Sequence, residues 1–317
     1  MTYREADLRR LRTVPVDGRH NKVDASLLAA PPAGDWSFRA FLQSLPDVLA
    51  ARELRAVITG IATAARTGRG VVLLVGGHVI KVGLGPLLRT LIERSIVTHL
   101  ALNGAAAIHD FELAAFGGTS EDVESGLADG TFGMAEETGA EMNAAITAAA
   151  RAEQGMGEGL ARALAARSEL PGGHASVLVA AQAHGVAVTV HAAIGAEIIH
   201  QHPSADGAAI GATSHRDFRR LAGALPSLDG GGAVLNLGSA VVLPEVFLKA
   251  LTIARNLDGG RPTAFLAADF DMQRHYRPRV NVVQRPTRAG GSGYLLTGHH
   301  ELLLPMLCWG VLEEVER

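Results

Sequence analysis

Short apolar runs alternate along this chain with longer segments of helical period, and this alternation limits the possible folds more than any other feature. The run "VVLLV" at 71–75 is branched and uninterrupted, as expected of a strand buried on both faces of a parallel sheet. In the next segment, leucine or isoleucine occupies positions 84, 87, 88, 91 and 92, which form one stripe on a helix. Repetition of this order predicts an α/β fold with a single doubly wound, mostly parallel sheet.

The remaining elements follow the same alternation. Strands are predicted at 96–104, 186–192, 231–240 and 262–270. Helices are predicted at 48–67, 106–116, 119–127, 134–168 with a break at Gly155–Gly159, 176–185, 217–225, 243–256 and 299–315. Thr119 or Ser120 is the expected cap of the helix at 119–127, and residues 271–293 are expected to form a loop or hairpin.

The N-terminal residues differ from the rest of the chain. Residues 1–45 contain turn-forming stretches such as "AAPPAGDW" and lack helical period, so we expect an extended arm that lies on the body or on a neighbouring subunit. No repeat or linker divides residues 46–317, which are predicted to form one α/β domain.

Charge and composition narrow the class of partner. With a net charge of -3 and a pI near 6.5, the chain lacks the basic field of a protein that binds nucleic acid or anionic lipid. No apolar run reaches the roughly 18 residues of a membrane span, and the charged start lacks the apolar stretch of a secretory signal. The single Cys308 is expected to be a buried, unreactive thiol. We therefore expect a cytoplasmic protein whose ligands are small molecules or protein.

Glycines and polar residues cluster where the predicted strands end. Ligands of a doubly wound sheet bind at the carboxyl ends of its strands, so these residues are candidates for one site. They are Gly76, Gly77, His78 and Lys81 after the first strand, Asn103, Gly104, His109 and Asp110 after the second, His191, Gly195, Glu197, His200 and His202 after the third, Gly238 and Ser239 after the fourth, and Asp269 and Asp271 at the end of the fifth.

Lys81 is the most informative of these candidates. The chain has 26 arginines but only three lysines, and this one lies in the glycine-containing turn after the first strand. Its ammonium group could bind a carboxylate or phosphate, act as an amine nucleophile if desolvated, or pair with an acidic neighbour. The glycines of "VGGHVIKVGLG" and "NLGSA" could contact phosphate or simply make tight turns.

Histidines and glutamates supply two further hypotheses. His191, His200 and His202 could hold zinc or iron with a carboxylate, but their spacing matches no recurrent metal motif, and loop histidines bonded to backbone or ligand are the alternative. Glu136 and Glu137 lie at a helix start, where the macrodipole favours carboxylates, and one of them could instead face a cationic substrate.

The order of these motifs resembles the deoxyhypusine synthase family, which uses NAD to move the aminobutyl group of spermidine to a lysine of a translation factor. The resemblance is carried by "LLVGGHVIKVGLGPLLRTLIERSIVTHLALNGAAAIHD", "VAVTVHAAIGAEIIHQHP", "AVLNLGSAVVLPEVFLKAL" and "GHHELLLPML". It implies a Rossmann-like fold, a homodimer or homotetramer with shared sites, and an amine-binding side that contains Asp110, Glu112 or Glu197. It also implies an NAD pocket lined by Gly77, His78, Lys81, Asn103, Gly104, Gly238, Ser239 and Asp269.

The chain departs from this family at the position of the catalytic lysine. The family needs a lysine that forms an imine shortly before the closing helix, where this chain has "DFDMQRHYRPRVNVVQRPTRAGGSGYLL". Arginine cannot replace it, because a guanidinium stays protonated and does not form an imine. The glycine triplet and paired histidines expected at "NLGSAVVLPE" are also missing. Deoxyhypusine synthesis is therefore not expected.

Three functions remain open from the sequence. The first is an enzyme that binds NAD or a related nucleotide and acts on a small amine or amino acid. Its candidate catalytic residues are Lys81, His109, Asp110, Glu137 and His200. The second is a metal-dependent hydrolase or lyase built on the three histidines of the 191–202 segment. The third is a ligand-binding protein without turnover.

Overall fold

The strands form one parallel sheet in a computed structural model that describes residues 3–316. Within that range the strands are β1 Val71–Val75, β2 His99–Asn103, β3 Ala187–His191, β4 Ala233–Leu237, β5 Leu266–Asp271 and β6 Ser292–Thr297. Their order is β3-β2-β1-β4-β5-β6, and every neighbouring pair is parallel. This order reverses between β1 and β4, as in a doubly wound sheet, so the predicted fold class is confirmed.

Helices cover both faces of this sheet. In the described part of the chain they are α1 Phe38–Ser44, α2 Leu49–Arg66, α3 Gly77–Lys81, α4 Gly85–Glu93, α5 Gly104–Phe116, α6 Val123–Asp129, α7 Glu136–Arg151, α8 Met156–Ala165, α9 Val177–His184, α10 Gly207–Ala224, α11 Val242–Leu257 and α12 His300–Val315.

The strand side chains alternate between two hydrophobic cores. Leu73 and Val75 of β1 belong to the larger core, which also contains residues of α2, α4, α9 and α12. Val72 and Leu74 belong to the second core, where α10 and α11 pack. Because both faces are covered, all five residues of β1 are buried, which explains the uninterrupted apolar run.

Two local predictions in the first half of the chain need correction. The turn after β1 contains a short helix, α3, that its glycines did not suggest. The helix predicted at 119–127 is α6, and its cap is Asp122, whose carboxylate accepts from the backbone N–H groups of Glu124 and Ser125, rather than Thr119 or Ser120. Thr119 and Ser120 therefore lie in the loop before α6 and do not cap it.

The loop or hairpin expected at 271–293 is also corrected. A π-helical segment spans Pro278–Gln284, and residues from Ser292 onward form β6, which pairs in parallel with β5. β6 is one of the two edge strands, and only Leu296 of its six residues is buried. An edge strand has no need for a continuous apolar run, so the sequence signal for it is weak.

The N-terminal residues lie largely exposed to solvent. Residues 3–37 contain three short 3-10 turns and large apolar side chains that stay outside the core, such as Tyr3 at 90% and Trp36 at 82% exposure. The end of the predicted arm is helical and not extended, because it forms α1. The ring of Phe38 at the start of α1 packs on Trp309 of α12, with ring centroids 6.1 Å apart. Met1 and Thr2 of the predicted arm lie outside the described residues.

Two further expectations concern apolar segments. Between residues 3 and 316, no helix combines the length and the apolar character needed to cross a membrane. Cys308 is buried inside α12, and burial raises the pKa of its thiol to about 12. This thiol is therefore unreactive at neutral pH, as predicted.

Candidate functional site

A cavity of about 640 Å³ lies beyond the carboxyl ends of β1, β2 and β3. One face of α5 forms its floor, with lining residues spaced at helical intervals: Ala105, Ile108, His109, Glu112 and Phe116. The other walls are Lys81 at the end of α3, the loop 118–121, Val123, Phe132, the start of α7 at Ala135, Glu137 and Thr138, and residues 196–198 after β3. Segments that are distant in sequence therefore meet at the edge of the sheet predicted to carry the site.

The cavity is lined by more acidic than basic side chains. Its carboxylates are Glu112, Glu121, Glu137 and Glu197, and its lysine is Lys81. Lys81 is exposed, and no carboxylate of residues 3–316 comes within ion-pair distance of its ammonium group. The lining can therefore neutralise a ligand that carries positive charge and, at the α3 side, a negative group.

His109 is held by hydrogen bonds along the wall of this cavity. Its Nδ1 lies 2.8 Å from Thr119 Oγ1, and the Thr119 hydroxyl donates to Glu112 Oε2 over 2.5 Å. Thr138 donates to the other carboxylate oxygen of Glu112 over 3.0 Å. Burial lowers the pKa of His109, and the positive charge of Lys81 lowers it further. A neutral imidazole able to accept a proton is therefore favoured.

Glu197 brings a buried carboxyl group to the opposite wall. Its Oε1 accepts from the N–H of Ala193 over 3.0 Å, while its Oε2 has no hydrogen-bond partner. His200 Nδ1, 3.2 Å from that oxygen, already accepts from the N–H of Gly195. Burial raises the pKa of Glu197 and lowers that of His200, so both groups tend towards their neutral forms.

The glycine turns after β1 and β4 are explained by contacts within the protein. Gly76 donates to the carbonyl of Leu237 over 2.9 Å, and a Cβ added to it would lie 2.2 Å from the carbonyl oxygen of Gly238. Gly238 has a φ of +68°, and a Cβ there would lie 2.9 Å from His300 Nε2. The two turns thus pack directly on each other. For these glycines the structure favours the tight-turn interpretation over phosphate contact.

Ser239 and Asp269 belong to a buried polar cluster beside these turns and do not line the cavity. Asn236 Nδ2 donates to Asp269 Oδ1 over 2.8 Å and to the carbonyl of Ser239 over 3.1 Å. Ser239 Oγ accepts from the N–H of Leu243. Burial raises the pKa of Asp269 to about 7, and the negative charge of Asp271 contributes to the rise. The predicted cofactor residues Gly238, Ser239 and Asp269 therefore lie outside the cavity.

The raised pKa of Asp269 predicts that stability falls with rising pH. Its folded-state pKa lies above the ordinary value, so its contribution is complete at low pH and is lost as the pH rises through about 7. Over that interval one such group changes the free energy of unfolding by up to about 1.4 kcal/mol per pH unit. The free energy of unfolding, measured with urea, should fall less between pH 6 and pH 8 in Asp269→Asn than in the unsubstituted protein.

The comparison of Asp269→Asn with the unsubstituted protein isolates the contribution of the Asp269 carboxyl group. The new amide keeps an oxygen that can accept from Asn236, so the hydrogen bond survives the substitution. Burial also raises the pKa of Asp217 to about 7, but that contribution is common to both proteins and cancels. Equal losses of stability in the two proteins would show that Asp269 does not hold a proton in the folded state near neutral pH.

Two other predicted site residues, Asp110 and Asn103, have contacts of their own. Asp110 is buried, and its carboxylate accepts from Ser176 Oγ and from the N–H groups of Val177 and Leu178 at the start of α9. It does not line the cavity. Asn103 caps α5, with its Oδ1 accepting from the N–H of Ala106 over 2.8 Å.

Gly104 and His78 lie closer to the cavity. A Cβ on Gly104 would lie 2.2 Å from Glu197 Oε1, so glycine is required for the approach of that carboxyl group. The ring of His78 lies 5.7 Å from that of His300. Gly77 makes room for α5, because a Cβ there would lie 2.8 Å from Ala105 Cβ and 3.3 Å from His109 Cδ2.

The three histidines proposed as metal ligands have separate partners. His191 Nε2 lies 3.1 Å from Thr189 Oγ1, and His202 Nε2 lies 2.8 Å from the carbonyl of Gly133. His200 bonds to the backbone of Gly195. Across residues 3–316, no group of three or more histidine, cysteine, aspartate or glutamate side chains is placed to hold a metal ion. His200 and His202 therefore fit the alternative interpretation, in which loop histidines form hydrogen bonds with the backbone.

The cavity unites only part of the predicted site and adds residues that the sequence analysis did not select. Lys81, His109 and Glu137 line it, together with Glu112 and Glu197. Thr119, Glu121 and Thr138 were not chosen, since they follow no strand. A usable signal was the spacing of 109, 112 and 116, which lie on one helix face, whereas position 110 points about 100° away.

Comparison with known proteins supports the fold. No protein-family model and no functionally curated protein matches the sequence. Among solved structures, a conserved protein proposed to be of the LOR/SDH type, from Methanococcus maripaludis S2, is 16% identical, with a TM-score of 0.50 over 84% of this chain and 72% of that one. A proposed deoxyhypusine synthase from Entamoeba histolytica is 10% identical, with a TM-score of 0.50 over 87% and 93% of the two chains.

AgrE, solved as a ternary complex with ornithine and NAD+, is a third structural neighbour. It is 15% identical, with a TM-score of 0.51 over 84% of this chain, and the match spans 34% of the AgrE chain. At these identities the likeness shows a shared fold and no specific family. The resemblance to deoxyhypusine synthase therefore holds for the fold.

Proposed function

We propose that this protein is an enzyme that binds NAD or a related nucleotide and acts on a small cationic amine or amino acid in the cavity above α5. The observation that carries the proposal is the lining: four carboxylates and one unpaired lysine surround a space of about 640 Å³ at the carboxyl edge of the sheet. Carboxylates bind an ammonium group, and the lysine suits a carboxylate or phosphate. The complex of AgrE with ornithine and NAD+ is consistent with this ligand class in a related fold.

Features of the cavity fit a nucleotide as well as a small substrate. Its volume lies within the range of about 300–1,000 Å³ typical of ligand pockets. Lys81, at the end of α3, can bind phosphate oxygens. Phe116, Phe132 and Ile198 offer apolar surface to a base or nicotinamide ring. When bound, NAD would supply a hydride acceptor.

The side chains of the cavity suggest how a substrate amine is handled. Glu137 and Glu121 bind the ammonium group, and His109 accepts a proton from it. Lys81 is exposed at the cavity rim, which favours a charge-pairing role over that of an amine nucleophile, because nucleophilic lysines are desolvated. An imine transfer of the deoxyhypusine synthase type is therefore not part of the proposal.

Calorimetric titration tests ligand binding directly. The probes are NAD+ and NADH, followed by L-ornithine, L-arginine and spermidine as cationic substrates. Loss of one charge-assisted contact weakens binding about tenfold to hundredfold, so Glu137→Gln should weaken the cationic probes and Lys81→Ala the nucleotides.

Each variant has a matched control on the same chain. Glu136 precedes Glu137 in α7 but does not line the cavity, and Lys249 is an exposed lysine of α11 that pairs with Glu245. Glu136→Gln and Lys249→Ala should therefore bind like the unsubstituted protein. Absence of binding by either nucleotide would remove the cofactor from the proposal, and absence of binding by all three amines would remove the substrate class.

We also propose that the chain forms a homodimer or homotetramer through its exposed N-terminal residues. Large apolar side chains that contact little of their own chain, such as Trp36 at 82% exposure, support a surface that a second subunit covers. Sedimentation velocity at micromolar concentration should give a dimer or larger species. A single monomeric boundary would contradict the proposal.

A further inference from the structure

The hydrogen bonds around His109 have a defined direction. Glu112 accepts two hydroxyl groups, that of Thr119 at Oε2 and that of Thr138 at Oε1. A carboxylate has no proton to donate, so the Thr119 hydroxyl must use its single proton in the bond to Glu112. Thr119 Oγ1 is then only an acceptor towards the imidazole, 2.8 Å away.

This direction decides which nitrogen of His109 carries the proton. Because Thr119 Oγ1 has no second proton, the nitrogen that faces it, Nδ1, must be the donor. In a neutral imidazole the other nitrogen, Nε2, then holds a lone pair. Nε2 makes no hydrogen bond with any residue between 3 and 316 and is not a buried orphan atom, and the ring lines the cavity.

We infer that Thr119 and Glu112 are positioning residues that hold His109 in its Nδ1–H tautomer and leave Nε2 as a proton acceptor that faces the cavity. The inference rests on the proposed function for its chemical use, but the tautomer itself is a property of the free protein. When a substrate is bound, an N–H bond of its ammonium group breaks, the proton moves to His109 Nε2, and the electron pair stays on the substrate nitrogen.

The surroundings of His109 are consistent with this role. Lys81 and His78 on α3 disfavour a second proton on the ring, and burial acts in the same direction. On its own helix Glu112 faces the Nδ1 side through Thr119, and Glu121, Glu137 and Glu197 line the rest of the cavity. The ring is thus neutral before substrate binds, while the carboxylate behind Thr119 can stabilise the imidazolium formed after proton transfer.

The tautomer can be measured without any ligand. Long-range ¹H–¹⁵N correlation spectra of the full-length protein labelled with ¹⁵N-histidine separate the two neutral tautomers, and the signal lost in His109→Gln identifies the residue. We expect His109 to be mainly Nδ1–H above its pKa in the unsubstituted protein and in Thr119→Ser, which keeps the hydroxyl. In Thr119→Val, which removes the hydroxyl at similar size, the Nε2–H form should become the larger population.

Each outcome decides the inference. An unsubstituted protein with His109 mainly in the Nε2–H form would overturn it, as would an unchanged tautomer in a folded Thr119→Val protein. If that variant does not fold, the unsubstituted spectrum still decides. Failure of every ligand to bind would affect the proposed function alone, since the spectra need no ligand.

A kinetic measurement follows once a substrate is known. Loss of a correctly oriented general base costs about 10²–10⁴-fold in rate, so Thr119→Val should lower kcat within that range with little change in KM, and Thr119→Ser should restore most of it. A purely structural role would leave kcat of the folded Thr119→Val protein unchanged. That result would also overturn the inference.

Discussion

Gly76→Ala is expected to destabilise the fold severely. The added Cβ would lie 2.2 Å from the carbonyl oxygen and 2.6 Å from the carbonyl carbon of Gly238, and 3.0 Å from the backbone nitrogen of Ser239. All three atoms belong to the backbone, so no side-chain rotation can relieve the overlap. Relief requires β1 and β4 to separate at the centre of the sheet, where Gly76 donates to Leu237.

The expected cost exceeds about 4 kcal/mol, in the range reached only by severe core substitutions. In a thermal melt this corresponds to a fall in melting temperature of about 10 °C or more, or to the absence of a cooperative transition. Gly211→Ala is the matched control, because Gly211 lies within α10 with open space around its Cβ position. It should be stabilising by about 0.5–1 kcal/mol. Equal melting temperatures for the two variants would show that the β1 and β4 turns do not touch as described.

Asp110→Ala is expected to cause the second large loss of stability. It removes the carboxylate that accepts from Ser176 Oγ over 2.6 Å and from the N–H groups of Val177 and Leu178 over 2.8 and 3.0 Å. These donors would remain buried at the start of α9 without an acceptor, at about 1–3 kcal/mol each. We expect a loss of about 3 kcal/mol or more in the free energy of unfolding, measured by urea denaturation.

Two variants sharpen this experiment. Asp122→Ala removes an exposed helix cap at α6 and should cost only about 1 kcal/mol. Asp110→Asn keeps one acceptor oxygen and should lie between the other two. Sequence position placed Asp110 among the catalytic candidates, and a catalytic role would give the opposite pattern: a stable Asp110→Ala protein that binds ligand but does not turn it over.

The sheet could be predicted because its signals are local. A strand buried on both faces must be apolar at every position, so Val71–Val75 was located from its own residues. The helical stripe that begins at Leu84 identified α4 in the same way. β6 was missed because only one of its six residues is buried, and α3 was missed because a five-residue helix has too few positions to show a period.

The candidate site could be predicted only in part, because strand ends indicate a neighbourhood and not a direction. Lys81 and His109 line the cavity, whereas Ser239 and Asp269, at equivalent strand ends, lie in a separate buried cluster. His109 and Asp110 are adjacent in sequence but about 100° apart around α5, so one faces the cavity and the other faces α9.

Composition and local periodicity are enough to establish the alternation of strands and helices and the lack of a net basic charge, and they predict the edge of the sheet at which a site would lie. Each of these depends on composition or on a period that a short segment carries internally. Thr119, Glu112 and His109 form one hydrogen-bonded chain only once separate segments are packed together, and the same packing brings the glycine turns of β1 and β4 into contact. Those features depend on distances between separate segments, which are set by the packing of α3, α5 and α7 against the sheet and not by any residue's neighbours in the chain.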